Sequence, residues 1–403
     1  MMKPVSVELF AYPWDILDEG EAPFLDHCIK LGVNRVHVAA SYHSGKFLLP
    51  RNTRTRVYFP EPGALYFRAP GASWDGGLEQ PVSDLAATGW LENLAAGASE
   101  RGIELSAWTV FFHNSALGAR YPELTVQNAF GDRYPFALCP TQPAVQGHGA
   151  ALCRSLAALG FFTRVDLETI GYLGYLHGYH HEVTAIPLGT MEKFLLSLCF
   201  CPACRAGGKA AGIEMEPLAA EVRRILMCRM RSDDATGSHM DNAEALVTLL
   251  VMQPSLQRLV QFRMDTVTAL VQRLSLESAP MRLAGFTSSF VGSPSNIWME
   301  GISPAGLKHM VECFHLLAYA PDAADVNADL IFFLAMVGDP DLLNLTLNLG
   351  LPITTTFAQA AAKVEFARRQ GVRRFSFFNY GFLGEGRLRW IQDLAKLVRE
   401  ASE

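Results

Sequence analysis

Residues 357–379, FAQAAAKVEFARRQGVRRFSFFN, contain one complete helix-to-strand unit. Residues 357–369 carry apolar side chains at helical spacing, and Gly371 follows them as a stop signal. The next run, residues 374–379, is short, apolar and rich in aromatic side chains, which is typical of a buried strand. This stretch therefore predicts a helix that leads directly into a strand.

The same helix-to-strand joint recurs along the chain. Glycine followed by Val, Ile or Phe stands at residues 32–33, 102–103 and 160–161, as it does at residues 371–372. Strands are predicted at residues 7–12, 35–41, 104–112, 162–169, 282–289, 314–319, 342–349 and 374–379. Eight strand-helix units fit an α/β fold, the (β/α)8 TIM barrel, which usually has about 250 residues. A doubly wound open sheet is the alternative, but no dinucleotide fingerprint or P-loop follows any predicted strand.

We predict a single barrel over residues 1–403, with two insertions that account for its extra length. The first, residues 46–84, follows the second strand and is rich in proline, glycine and aromatic residues. The second, residues 170–273, follows the fourth strand and contains a cluster of cysteines.

The composition excludes several classes of protein. Hydrophobic residues make up 50% of the chain and charged residues 18%, so a sizeable core can be buried. The net charge of −6 gives no basic footprint for nucleic acid. No apolar run approaches the ~18 residues of a membrane span, and no signal-peptide pattern opens the sequence. We expect a cytoplasmic protein that binds neither nucleic acid nor membrane and that can form a homo-oligomer.

Cys199, Cys201 and Cys204 form the motif CFCPAC. In a reducing compartment such crowding favours a metal site over disulfides. Two cysteines separated by two residues can present both thiolates to one zinc ion, and a third nearly completes a tetrahedral shell. Cys139, in the turn LCPTQP, is the candidate fourth ligand. Four thiolates would close the shell and make the zinc structural, whereas the alternative is a packed group of reduced thiols without metal.

The turn CPTQP at residues 139–143, followed by CFCPAC at residues 199–204, resembles the zinc site of the glycoside hydrolase family 42 β-galactosidases. These enzymes belong to a clan of barrel glycosidases, and the likeness covers residues 132–212 well. Their catalytic acid/base glutamate ends strand four, between the first zinc cysteine and the cysteine triplet. Glu168, in RVDLET, occupies that place. The resemblance therefore implies a glycoside hydrolase with Glu168 as general acid/base and a small carbohydrate or glycoside as substrate.

The residues around Glu168 suit that role. Active sites of TIM barrels lie at the carboxyl ends of the strands, where Glu168 is predicted to stand. Leu167 and Ile170 flank it, and partial desolvation by apolar neighbours raises the pKa of a carboxyl toward that of a general acid. The structural alternative is a buried carboxylate paired with an arginine inside the barrel.

A glycosidase of this kind also needs a second carboxylate. In the clan it is a glutamate at the end of strand seven, but residues 342–349, LLNLTLNL, contain no glutamate. The candidates that remain are Asp322 after strand six, Glu300 after strand five and Asp15 after strand one.

Aromatic and hydrogen-bonding side chains at the predicted strand ends suit a sugar, whose C–H faces stack on rings while its hydroxyls need polar partners. The predicted substrate-binding residues are Trp14, His43, His113, Asn114, His177, His180, His181, Tyr319, Asn379 and Tyr380. Three of these histidines belong to the loop GYLGYLHGYHHE at residues 171–182, whose alternative role is a hydrogen-bonded structural loop.

Two other functions stay open at this point. His43 and His113 follow neighbouring strands and, with Glu168, could bind a divalent metal in the manner of barrel sugar isomerases or lyases. The missing strand-seven glutamate also allows a sugar-binding barrel without catalysis.

Overall fold

A computed structural model describes residues 4–68, 77–179, 181–186, 188–231, 243–287 and 294–400. Eight parallel strands form a closed barrel. In chain order they are β1 (Ser6–Ala11), β2 (Arg35–Tyr42), β3 (Glu104–Val110), β4 (Arg164–Glu168), β5 (Arg282–Phe286), β6 (Cys313–Leu317), β7 (Leu343–Asn348) and β8 (Arg374–Phe378). Each strand pairs with the next one in this order, and β8 pairs with β1. The predicted (β/α)8 barrel and its eight strands are confirmed.

Helices surround the barrel. Those that contribute most to the outer ring are Pro13–Glu19, Glu21–Leu31, Trp90–Glu100, Pro143–Leu159, Pro254–Glu277, Ala323–Val337, Phe357–Arg369 and Glu385–Glu400. The other α-helices are Ser115–Arg120, Thr190–Leu196, Pro202–Ala210, Met215–Met230, Ala243–Met252 and Pro304–Leu307. Turns of 3-10 helix cover Asp84–Ala87, Pro122–Leu124, Pro294–Glu300, Pro340–Leu342 and Tyr380–Phe382. Within the described residues, no helix combines the length and the apolar character needed to cross a membrane.

The helix Phe357–Arg369 shows how the sequence sets these elements. Thr356 caps its start, because the Thr356 hydroxyl accepts a hydrogen bond from the amide of Gln359 and the Gln359 side chain accepts one from the amide of Thr356. Its alanine and valine face is buried. Gly371, after its end, has a φ of +91°, a left-handed conformation that favours glycine and turns the chain into β8.

Additional segments rise from the carboxyl ends of three strands. After β2, the short strands Phe47–Leu48 and Val57–Tyr58 pair with each other, and Ala64–Leu65 pairs with β2. After β3, strands Thr125–Gln127 and Arg133–Leu138 form an antiparallel hairpin. After β4, several helices enclose a second apolar cluster, distinct from the main core.

Charged side chains that pair with one another fill part of the barrel interior. The carboxylate of Glu8 on β1 lies 2.7 Å from the guanidinium of Arg164 on β4. Asp166 accepts hydrogen bonds from Arg164 at 3.0 Å, from His37 at 2.7 Å and from His315 at 3.2 Å. All five side chains are fully buried, and we call them the buried network.

Candidate active site

Glu168 is the last residue of β4, and its half-buried carboxyl lies at the carboxyl end of the barrel. The indole N–H of Trp108, on β3, donates a hydrogen bond to its Oε2. Phe10 forms the floor of this site, since its ring meets the Trp108 ring edge-on at 5.1 Å and stacks on His37 at 4.1 Å. One aromatic layer therefore separates Glu168 from the buried network.

The surroundings of Glu168 favour its protonated form. Burial raises the pKa of Glu168 to about 7. The hydrogen bond from Trp108 opposes this change, whereas the negative charges of Glu300 and Asp166 add to it. A carboxyl that is partly protonated near neutral pH can donate a proton to a leaving group, as a general acid must.

Glu300 supplies a second carboxylate to this site. It ends the 3-10 helix Pro294–Glu300 and is only 3% exposed, and its charge acts directly on the pKa of Glu168. The amide of Tyr172 donates a hydrogen bond to the Glu300 carbonyl at 2.8 Å. A Cβ at Gly171 would lie 2.4 Å from that same carbonyl oxygen, which is closer than real Cβ contacts allow. The glycine therefore permits the close approach that places Glu300 beside β4.

The other two candidate carboxylates lie elsewhere. Asp322 is exposed, and its Oδ1 accepts a hydrogen bond from the amide of Ala324 at 2.8 Å, which caps the helix Ala323–Val337. Asp15 is buried in the helix Pro13–Glu19 and lines a separate pocket. Neither is among the groups that shift the pKa of Glu168. Of the three sequence candidates, the structure brings Glu300 to Glu168.

Aromatic rings line the mouth of the barrel around Glu168. Tyr12 and Trp14 stack with their ring centroids 4.4 Å apart, and the Tyr12 hydroxyl donates a hydrogen bond to that of Tyr42 at 2.8 Å. Burial raises the pKa values of Tyr42 and Tyr319, and the charge of Glu168 adds to both. These rings, with Phe47, Trp108, Phe378 and Phe382, are called the aromatic wall below. Trp14 and Tyr319, both predicted from the sequence, belong to it.

Three of the predicted histidines meet beside the aromatic wall. The rings of His43 and His113 stack at 4.2 Å, and Nε2 of His177 lies 3.1 Å from Nδ1 of His113. His43 also stacks on Tyr42 at 4.3 Å. Burial lowers the pKa of His113, with His43 and His177 adding to the effect, and burial lowers the pKa of His177 to about 3. His113 and His177 are therefore neutral at physiological pH.

This histidine cluster does not reproduce the alternative metal site. Among the described residues, potential ligand atoms converge within 4.8 Å in two groups, the four cysteines and the trio of His37, Asp166 and His315. Neither group contains His43, His113 or Glu168, and the trio belongs to the buried network.

The remaining predicted substrate-binding residues have other surroundings. Asn114 is buried, and its Oδ1 accepts a hydrogen bond from the amide of Leu117 at 2.9 Å while its Nδ2 donates to the carbonyl of Gly63 at 3.3 Å. These contacts cap the helix Ser115–Arg120 and attach it to the segment after β2. Asn114 therefore has a structural role at the mouth of the barrel.

Asn379 and Tyr380 follow β8 and are also buried. Oδ1 of Asn379 accepts a hydrogen bond from the amide of Gly381 at 3.0 Å, and the Tyr380 hydroxyl donates to Glu19 at 2.5 Å. His181 is exposed, with a φ of +55°. His180 lies outside the described residues.

Trp108 is not among the site residues predicted from the sequence, although it contacts Glu168 directly. It stands inside β3 rather than after it, whereas the predicted site residues all lie at or after strand ends. The signal was the period-two alternation of a strand, which places Trp108 on the same inward face as Ser106 and in register with Asp166.

The four predicted zinc ligands come together in the structure. The Sγ atom of Cys139 lies 3.5 Å from that of Cys204, 3.7 Å from that of Cys199 and 3.8 Å from that of Cys201, and all four side chains are buried. Thiolates about 2.3 Å from a tetrahedral zinc ion stand about 3.8 Å apart, so this geometry fits the metal.

The cysteine cluster joins two separate segments of the chain. Cys139 follows the hairpin strand Arg133–Leu138, and the other three cysteines precede or begin the helix Pro202–Ala210. The amide of Gln127, in the hairpin, donates a hydrogen bond to Sγ of Cys199 at 3.4 Å. A bound ion would therefore fix the hairpin after β3 to the insertion after β4.

No known protein-family model matches the sequence, and no curated protein sequence matches it. Solved structures with a similar fold include the glycoside hydrolase domain of PgaB (BpsB) from Bordetella bronchiseptica, at a TM-score of 0.60 and 11% identity over 97% of this chain and 99% of that one. The catalytic domain of the β-amylase from Paenibacillus polymyxa gives a TM-score of 0.57 at 9% identity, over 100% of both chains. A β-galactosidase from the psychrophilic Marinomonas ef1 gives 0.55 at 11% identity, over 98% of this chain.

The chain has the barrel fold of these glycosidases. It spans 60% of the length of the Marinomonas β-galactosidase. At identities of 9–11%, the likeness shows the architecture of the chain and does not show its chemistry.

Proposed function

We propose that this protein is a carbohydrate-active enzyme of the glycoside hydrolase type, which acts on a small carbohydrate or glycoside. The observation that carries the proposal is the pair of carboxyl groups at the barrel mouth, Glu168 and Glu300. Burial raises the pKa of Glu168 to about 7, and the charge of Glu300 helps to keep Glu168 protonated. Glycosidic bond cleavage requires two carboxyl groups, one that donates a proton and one that acts as nucleophile or base.

In this proposal Glu168 is the general acid. It donates its proton to the glycosidic oxygen as the bond from that oxygen to the anomeric carbon breaks. The indole N–H of Trp108 orients the carboxyl group and stabilises the carboxylate left after proton transfer. Glu168 then removes a proton from the water that completes the reaction in a retaining enzyme.

Glu300 is the second catalytic carboxylate of the proposal. It either attacks the anomeric carbon or activates a water on the opposite face of the sugar, and the separation of the carboxyl groups is ~5–5.5 Å in the first case and ~6.5–9.5 Å in the second. The anomeric configuration of the first product decides between these two mechanisms.

The remaining side chains would bind and orient the sugar. The half-buried rings of the aromatic wall keep surface open to a ligand and suit the C–H faces of a sugar; they are Phe47, Tyr319, Phe378 and Phe382. The neutral imidazoles of His113 and His177 can exchange hydrogen bonds with its hydroxyl groups.

The test is a panel of aryl glycosides assayed with the wild type and with Glu168→Gln and Glu300→Gln. We expect hydrolysis of at least one glycoside, and a fall of kcat/KM by roughly 10²–10⁴-fold in each variant. Glu92→Gln, on the exposed face of the helix Trp90–Glu100, is the matched control and should hydrolyse normally. Unchanged hydrolysis in Glu168→Gln contradicts the proposal, and sugar binding without any hydrolysis by the wild type indicates a non-catalytic barrel.

We also propose that Cys139, Cys199, Cys201 and Cys204 hold one structural zinc ion. Four thiolates leave no open position on the metal, so zinc would supply rigidity rather than chemistry. Mass spectrometry of protein purified without added metal should count one zinc per chain in the wild type and none in Cys201→Ser. Cys228→Ser, at an exposed cysteine, should keep the zinc. Wild-type protein without zinc contradicts this assignment.

A further inference from the structure

A pocket that does not include Glu168 lies among residues that follow β1 and β8. It has a volume of about 250 Å³ and is lined by Asp15, Asp18, Glu19, Arg51, Tyr380 and Glu385 among others. Four carboxyl groups and one guanidinium make the lining acidic. We call this cavity the acidic pocket.

Asp15 is the least satisfied group of the acidic pocket. Its side chain is only 5% exposed, and within the described residues its buried Oδ2 has no hydrogen-bond partner. Burial raises the pKa of Asp15 to about 8, with Asp18 and Glu19 adding to the effect and Arg51 opposing it. A buried carboxylate oxygen without a partner is costly, so it points to a group that the structure does not contain.

Arg51 does not fill that role, because its guanidinium is used elsewhere. It donates hydrogen bonds to the carbonyls of Leu383 at 2.8 Å and Tyr380 at 3.0 Å, and it lies 4.2 Å above the centre of the Tyr380 ring. Its closest approaches to the carboxylates of Glu19 and Glu385 are 3.8 Å and 3.7 Å. Arg51 therefore contributes to the lining of the pocket. Arg54 approaches the carboxylate of Asp18 at 3.8 Å, so two guanidinium groups face four carboxyl groups and the acidic pocket keeps an excess of acidic groups.

The geometry favours an organic cation over a metal ion. Within the described residues, the carboxylate oxygens of this pocket do not converge within 4.8 Å, as the ligand atoms of the cysteine cluster do. The volume of about 250 Å³ also exceeds what a single ion needs. An ammonium group has three N–H donors and can bridge carboxylates that stand further apart.

We propose that the acidic pocket binds a small organic cation with a primary ammonium group, which donates hydrogen bonds to Oδ2 of Asp15 and to the carboxylates of Asp18 and Glu385. This site is separate from Glu168 and does not depend on hydrolysis. The organic cation supplies the counter-charge that Asp15 lacks. Its remaining part would occupy the space between Asp15 and the helix that begins at Glu385.

The test is isothermal titration calorimetry with 1,4-diaminobutane, which is charged below its amine pKa of about 10, and with 1,4-butanediol as its uncharged counterpart. We expect the wild type to bind the diamine and not the diol. Asp15→Asn should weaken diamine binding at least tenfold. Glu385→Gln, at an exposed residue whose change leaves the core intact, should weaken it as well.

Two control variants show whether the diamine binds in the acidic pocket. Glu92→Gln lies outside this pocket and should bind the diamine as the wild type does, and so should Glu168→Gln, whether or not the protein is a hydrolase. Absence of diamine binding, equal binding of the diol, or wild-type affinity in both Asp15→Asn and Glu385→Gln overturns the proposal.

Discussion

Asp166 and Glu168 stand two residues apart on β4, point toward the same barrel interior, and have opposite electrostatic surroundings. Burial by itself would raise the pKa of Asp166, but His37 and Arg164, with a further hydrogen bond from His315, hold it well below its usual range. Burial raises the pKa of Glu168 to about 7, because its main partner is a neutral indole and its charged neighbours are carboxylates. The partners of a buried carboxyl, more than its depth, decide whether it stabilises the fold or can transfer a proton.

The largest expected loss of stability comes from Asp166→Asn, because the charge of Asp166 is balanced by positively charged neighbours. Asp166→Asn leaves the buried Arg164 and His37 with less counter-charge, so the free energy of unfolding should fall by about 3–5 kcal/mol. Glu168→Gln removes a charge that the protein does not compensate, so the free energy of unfolding should stay equal or rise. Urea denaturation of both variants at one pH measures the contrast, and an equal loss in both would break the comparison.

The pH dependence of the free energy of unfolding should have opposite signs for Glu168 and Asp166. The pKa of Glu168 is raised from 4.5 to about 7, so its contribution is fully present below about 4.5 and is lost as the pH rises through about 7. The stability of Glu168→Gln relative to the wild type should therefore increase across this window, by about 3 kcal/mol in total. The lowered pKa of Asp166 has the opposite sign, with stability lost in acid. Urea titrations across the pH range give both slopes, and a flat difference for Glu168→Gln contradicts the assigned pKa.

The smallest effect concerns Asp322, the carboxylate that competes with Glu300 as a sequence candidate. Asp322→Ala removes the cap of the helix Ala323–Val337 and should lower the free energy of unfolding by about 1 kcal/mol. Asp322→Asn keeps a capping side chain and should change it by only a few tenths of a kcal/mol. Thermal denaturation compares the two variants. A loss of aryl glycoside hydrolysis in folded Asp322→Asn as large as that in Glu300→Gln would give Asp322 the catalytic role instead.

The strands could be predicted because their signal is local. The run at residues 374–379 matches β8 within one residue, since an apolar aromatic segment after a helix and a glycine has few other interpretations. Glu168 and the four cysteines could be found for a similar reason, because a strand end and a cysteine spacing are visible in a short stretch of sequence.

The partner of Glu168 could not be found in this way. Glu300, Asp322 and Asp15 all follow predicted strands, and nothing local distinguishes them. What distinguishes Glu300 is the close approach of its own backbone to Gly171, a contact between residues far apart in the chain. The buried network could not be predicted either, because the pairing of Glu8, His37 and Asp166 depends on the register between strands rather than on any one strand's sequence.

The most direct test of the central claim is an infrared difference titration that follows the protonated carboxyl band of Glu168 from about pH 5 to about pH 9. The wild type should lose one such band with a midpoint near pH 7, which should be absent from Glu168→Gln, and a second with a midpoint near pH 8, which belongs to Asp15 and should be absent from Asp15→Asn. In Glu300→Gln the midpoint should move to lower pH, because the charge that helps to raise the pKa of Glu168 is gone. A Glu168 that is ionised throughout this range would contradict the account, since β4 would then carry two structural carboxylates and no general acid.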